Sequence, residues 1–225
     1  MTRTRRTLRF MISLLAILAL ACGDDDAGNN KGTPDSSVKP DSGVTPDSGV
    51  TPDSGVNPDM GGVADAGAKP KVVGDSEAEF STTQGKGGWF YGYWDIDADK
   101  DGSYTAADFK QMTQYYKPWT AWHVKQGKGG YWTLVSDTTM HGNGTKGYDG
   151  RLKARHAAVR RWVSTVTGKV EVSGVVKKQK AGGDGVEGLL YVDGTKKWSK
   201  SVKGTDTVGQ TLKECVDVKV GSKLD

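Results

Sequence analysis

Residues 169–173 read KVEVS, a strict alternation of valine with charged or hydroxyl side chains. Successive side chains of an extended strand point to opposite faces, so this pattern gathers the valines on one face and the polar groups on the other. Working outward, VDVKV at 216–220 alternates in the same way, and GLLYV at 188–192 is a short apolar run closed by Asp193-Gly194, a hairpin-type turn. Thr167-Gly168 and AGGDG at 181–185 add further turn signals. Short strands at such spacing predict an all-β fold, an antiparallel sandwich. Long helices are not expected, apart from a short one around Ala106 to Tyr116 that would place Phe109, Met112 and Tyr116 on one face.

This strand-rich part begins near residue 76, and the chain before it is of a different kind. Residues 1–22 open with Arg3, Arg5, Arg6 and Arg9, continue with the apolar run FMISLLAILALA and stop at Cys22. A charged start followed by an apolar run of about a dozen residues is the pattern of an export signal, too short for a permanent membrane-spanning helix. Residues 23–75 contain no aromatic residue and repeat a hexapeptide, KPDSGV, TPDSGV, TPDSGV and NPDMGG. A proline in each repeat removes a backbone donor, and one valine per repeat cannot bury a core, so a disordered linker is expected. Ten Asp against four Lys make it acidic and extended, a spacer.

Ala19-Leu20-Ala21-Cys22 resembles the lipobox of bacterial lipoproteins, with Ala at position 19 where that pattern favours Leu. The resemblance implies lipidation at Cys22, a membrane anchor, and a place in the cell envelope, at the outer membrane or cell surface. Cys215 is then the only other cysteine, and a disulfide framework is excluded. The blocks FSTTQGKGGWFYGYWD, AVRRWVSTVTGKVEVSGVVKK, AGGDGVEGLLYVDG and VKVGSKLD resemble a jelly-roll module of secreted bacterial proteins, similar in architecture to carbohydrate-binding modules. That likeness covers residues 79–225 and implies a jelly-roll-like β-sandwich that binds carbohydrate, with no catalytic motif to carry over. In the family the last block is followed by a further strand and a cysteine-bearing loop. The resemblance therefore implies either that a last strand is missing here, leaving Cys215 as half of a lost disulfide, or that the sandwich closes without it.

Two stretches carry candidate sites. In DADKDGSYTAAD, residues 97–108, oxygen-bearing side chains fall at loop positions 1, 3, 5, 9 and 12 as Asp97, Asp99, Asp101, Thr105 and Asp108. Gly102 stands at the sharp sixth position and Ser103 offers a carbonyl at the seventh, the spacing of a calcium loop. Asp at position 12 shortens the reach, and GGWFYGYWDI before the loop reads as a strand, so the loop is expected to be either a structural calcium clamp or a plain Asp/Gly turn, and not a sensor. The second set is aromatic. Trp94, Trp119, Trp122 and Trp132 are candidate ligand-binding residues, because exposed indole faces stack on the apolar faces of sugar rings. Most of the seven tryptophans belong to the core on any reading, and Trp119 and Trp122, around Pro118, are the better candidates for exposure.

Arg160-Arg161 in a strand must point to opposite faces, one to an acidic partner and the other to solvent. His123, His141 and His156 lack metal-ligand spacing and no serine stands in G-x-S-x-G, so no enzyme is expected. A net charge of +4 without a basic helix or nucleic-acid motif excludes nucleic acid as the expected partner. The sequence thus points to a lipid-anchored exported module that binds carbohydrate or another envelope component. The alternative is a structural or protein-interaction sandwich whose aromatics are all core.

Overall fold

The computed structural model describes residues 12–19, 71–146 and 150–225. Cys22 and nearly all of the linker lie outside the described residues. In chain order the strands are β1 (Ile12–Ala19), β2 (Lys71–Asp75), β3 (Trp89–Asp95), β4 (Lys110–Gln111), β5 (Gln114–Tyr116), β6 (Ala121–His123), β7 (Leu134–Ser136), β8 (Met140–His141), β9 (His156–Val163), β10 (Gly168–Val176), β11 (Val186–Val192), β12 (Thr195–Val202), β13 (Gln210–Val218) and β14 (Lys223–Leu224). They form three antiparallel sheets, ordered β13-β10-β1-β2, β12-β11-β14-β9-β3-β4 and β5-β6-β7-β8. The first two face each other as a sandwich, and the all-β expectation holds. Two of the stretches read as export signal and linker, 12–19 and 71–75, are strands of the first sheet. No helix among the described residues is long and apolar enough to cross a membrane.

The 169–173 stretch behaves as its alternation requires. Val170 and Val172 are buried, while Lys169 is exposed and Glu171 and Ser173 face outward, paired in register with Cys215 and Lys213 of β13. On β13 the inward residues Leu212, Val216 and Val218 join the same core, but the chain turns at Lys219–Ser222 and leaves Val220 exposed. Asp193 and Gly194 both have positive φ, 50° and 81°, the two-residue hairpin turn whose twist matches the flanking strands. Between the sheets lie Trp89, Tyr91 and Trp162 from the second and the valines of β10 and β13 from the first.

The expected helix at 106–116 is not formed. Asp108 accepts hydrogen bonds from the Thr105 amide and hydroxyl, both at 2.7 Å, so this Thr-x-x-Asp pattern completes one turn in the manner of a helix cap. The chain then straightens into β4, because β3 has an open edge there and Gly92 lets the Phe109 ring close on its backbone. Met112 is buried by pairing beside Tyr91, its amide donating to the Tyr91 carbonyl at 3.0 Å, and not by a helical face.

Both arginines of β9 are buried, which corrects the expectation that one is solvated. Arg161 pairs with Asp225. Arg160, on the other face, has no carboxylate ion-pair partner among the described residues. Its guanidinium donates to the Ser76 hydroxyl at 2.7 Å and to the Ser136 and Asp137 carbonyls at 2.6 and 2.8 Å, which ties β9 to the third sheet. Desolvation lowers its pKa to about 10, so the group stays charged at neutral pH. Cys215, expected to lack a partner, is disulfide-bonded.

Candidate functional site

The third sheet carries the aromatic residues that the core does not absorb. β5 ends in Tyr115-Tyr116, and Lys117-Pro118-Trp119 then makes a single 3-10 turn in which the proline ring presets the backbone. Thr120 closes it at φ 44°, a left-handed conformation that non-glycine residues seldom take, its amide returning to the Lys117 carbonyl at 3.0 Å. The turn throws Trp119 outward and delivers the chain into β6. Along β6, Trp122 and His123 then face opposite ways.

Trp122 goes to the core. Its indole N–H donates to the Ser81 carbonyl at 2.9 Å, and its ring lies parallel to Tyr91. Trp94 is likewise buried, on the opposite face of β3, edge-on to Tyr104 and donating to Asp99 at 2.9 Å. Of the seven tryptophans, Trp89, Trp94, Trp122, Trp162 and Trp198 are buried, which leaves Trp119 and Trp132 partly exposed. These two come together. Their ring planes differ by 1° with centroids 5.7 Å apart.

The pair is built from below and from one side. Trp132 is placed by Asn143, whose side-chain oxygen accepts the Trp132 amide at 2.9 Å while its amide group donates to the Leu152 and Ala154 carbonyls at 3.2 and 2.8 Å. The Arg151 guanidinium lies 3.9 Å from the centre of the Trp132 ring, a cation–π contact, and donates to the Tyr131 carbonyl. His123 sits beneath, 5.5 Å from Trp119 and edge-on to Tyr116. It is fully buried, and neither ring nitrogen has a hydrogen-bond partner. Burial first, and then the charge of Arg151, lowers its pKa to about 4. His141, 5.9 Å from Trp132, is lowered to about 4, again mainly by desolvation. Both imidazoles are therefore neutral at neutral pH. The result is a stacked, offset pair of indoles on an uncharged floor, with the Arg151 guanidinium over the Trp132 ring.

Tyr116 and Arg151 belong to this cluster and were not legible as members. Tyr116 was assigned to a helical face, and Arg151 stands nineteen positions from Trp132 in a glycine-rich stretch with no motif around it.

The side chains of the acidic loop are engaged in hydrogen bonds. Gly102 makes the sharp turn at φ 68°, as the spacing requires. The carboxylates accept hydrogen bonds from donors within the loop and from Trp94 and Arg155 outside it. Asp97 accepts the Arg155 amide at 2.7 Å and its Nε at 2.6 Å, hydrogen bonds that hold its carboxyl below the usual range. Asp99 accepts from Trp94 and the Asp101 amide, Asp101 from the Ser103 amide, and Asp108 from Thr105. Among the described residues no three His, Cys, Asp or Glu side chains converge as a metal-binding group. The six residues expected as calcium ligands, Asp97, Asp99, Asp101, Ser103, Thr105 and Asp108, all lie on this one loop. Compared with known proteins, the chain matches no family model, no curated protein and no solved structure.

Proposed function

We propose that the protein is an exported, non-catalytic module that binds carbohydrate on the paired indoles of Trp119 and Trp132. The observation that carries this reading is their parallel, stacked alignment at 5.7 Å, Trp119 on the 3-10 turn before β6 and Trp132 just before β7, while the other five tryptophans are committed to the core. A stacked indole pair held in place loses little side-chain entropy when an outer face meets a sugar ring, and the guanidinium over Trp132 supplies a directional donor. Trp94 and Trp122, buried as they are, serve this surface by holding its scaffold.

Affinity electrophoresis and pull-down against a panel of soluble and insoluble polysaccharides tests the reading. Trp119→Ala and Trp132→Ala should each weaken retention at least tenfold with the fold retained. If no polysaccharide retains the wild-type protein, with or without calcium, the alternative stands: a structural or protein-interaction sandwich, a reading favoured by the burial of five of the seven tryptophans.

The anchor belongs to the same proposal. Acylation of Cys22 would hold the module at the membrane, at the outer membrane or cell surface, with the acidic linker as spacer. The chain has only two cysteines, so acylation of Cys22 and the disulfide at Cys215 belong to two different forms of the protein. Intact mass spectrometry of the purified protein decides: an acylated mass supports the anchor, and an unacylated, disulfide-linked chain overturns it.

A further inference from the structure

The folded part of the chain carries its charge unevenly. Residues 112–154, which hold the third sheet and the loops around it, contain six basic and two acidic residues, whereas the rest of 76–225 contains seventeen basic and fifteen acidic. Positive charge thus gathers on the part of the fold that bears Trp119 and Trp132. Of the two acidic residues, Asp149 lies outside the described residues, and Asp137 turns its carboxylate to the Thr138 amide and hydroxyl at 2.7 and 3.3 Å.

Backbone geometry places three of the cations beside the indoles. Lys117, exposed, opens the 3-10 turn that carries Trp119. On the other side, the loop after β6 is laid against residues 150–152, the Gly129 amide donating to the Gly150 carbonyl at 2.9 Å and the Leu152 amide to the Gly130 carbonyl at 2.8 Å. That pairing sets the stem of the exposed Lys128 against Gly150, where a Cβ would stand 3.3 Å from the lysine Cγ. Lys128 is thereby brought beside Arg151, whose guanidinium covers the Trp132 ring. The floor feels the same sign of charge: Arg151 acts on both His123 and His141, and Lys178 on His141, each favouring the neutral imidazole.

Stacking a neutral sugar needs an indole face and no cation. A chain of sugars that carries carboxylates uses both features, its rings meeting the indole and its anionic groups meeting the ammonium and guanidinium donors. We propose that the ligand of the Trp119–Trp132 pair is an anionic polysaccharide of uronate type, its carboxylates held by Lys117 on one side and by Lys128 and Arg151 on the other. This inference rests on the carbohydrate reading and narrows it to one class of ligand.

Affinity electrophoresis of the full chain tests it, with polygalacturonate and alginate each compared with its esterified form, which keeps the sugar rings and removes the charge. One of the two acidic polymers should bind about tenfold more tightly than its ester, a difference of about 1.4 kcal/mol. The preference should vanish in about 1 M sodium chloride, where the screening length is about 3 Å. Lys117→Gln with Lys128→Gln should abolish the preference and leave the weaker binding of the ester. Lys196→Gln with Lys197→Gln, which removes the same charge from exposed positions of β12, should leave the preference in place. Trp119→Ala should weaken retention on acid and ester alike. Equal retention of acid and ester overturns the inference and leaves the carbohydrate reading standing. Retention on none of the four polymers also overturns it, and binding to a neutral polysaccharide then separates its failure from that of the carbohydrate reading. A preference lost equally in the two lysine pairs, or duplex DNA retained as tightly as the acidic polymer, would show unspecific ion exchange and overturn it as well.

Discussion

Arg161 grips the carboxylate of Asp225 through Nε and Nη2, each at 2.6 Å, and the Tyr104 hydroxyl donates to the same carboxylate at 2.9 Å. The guanidinium also lies 4.1 Å from the centre of the Phe109 ring, so the ion pair is enclosed by aromatic carbon on one side and β9 on the other. The burial of Tyr104 and the neighbouring Asp225 charge push its hydroxyl pKa up, keeping it a donor throughout the physiological range.

Removing one member of such a buried pair strands the other. Asp225→Ala should cost about 3–5 kcal/mol in urea denaturation, because Arg161 keeps its charge in a site that excludes water. Asp225→Asn, which retains an acceptor, should cost less. A loss below about 1 kcal/mol for the alanine variant would show that water reaches the guanidinium.

His123 makes stability depend on pH in a defined window. Its folded pKa, about 4, lies below the ordinary value of 6.5, so the unfolded chain binds the proton more readily between those values. Stability is therefore whole above pH 6.5 and falls as the pH drops towards 4, by about 1.4 kcal/mol per pH unit for this one group. His123→Phe, which fills the same aromatic niche, should flatten that slope in denaturation midpoints measured from about pH 7 to about pH 4.

Gly92 is needed for space. A Cβ there would stand 2.4 Å from two atoms of the Phe109 ring and 2.6 Å from the Lys110 carbonyl. Gly92→Ala should destabilise by about 1–3 kcal/mol and detach β4 from β3. Gly92→Ala combined with Phe109→Ala should recover part of the loss, since the ring is one of the two obstacles.

The Asp97–Arg155 contact closes the acidic loop from outside, with both side chains substantially exposed at 43% and 57%. Asp97→Ala should lower the melting midpoint slightly, and by less in high salt. Calcium at millimolar concentration should leave the wild-type midpoint in place, because an ion would have to take Asp97 from Arg155 and turn Asp99 away from Trp94. A calcium-dependent rise that Asp97→Ala with Asp101→Ala abolishes would show instead that the carboxylates do converge on the ion.

Strand periodicity was the most legible part of the chain. Alternation in 169–173 and the Asp193-Gly194 turn report directly on one buried face and on a backbone twist, both local quantities. The helix expected at 106–116 failed because Thr105 and Asp108 cap a turn locally, while the open edge of β3, distant in sequence, draws the next residues into a strand. Trp122 was a misleading candidate for a related reason. Its neighbour Trp119 is set outward by the 3-10 turn that Thr120 closes, whereas Trp122 sits on β6 facing the core. The site was half legible: two of its tryptophans were named, whereas Arg151 and Tyr116 reach it through loop paths that carry no periodic signal. Spacing points to the loop as a calcium candidate, and the Arg155 contact with its first carboxylate, far along the chain, is not visible in spacing.

The brevity of β14 also bears on how the chain reaches this state. Leu224 joins β9 to β11, yet it is made about sixty residues after the β9 residue it pairs with, and β9 itself lies about seventy residues beyond the β3 strand whose register it sets. Contacts this distant in sequence slow folding, and the sheet cannot close from the ribosome end inward. A chain of this topology completes its second sheet only once β3, β9, β11 and β14 are all available to pair.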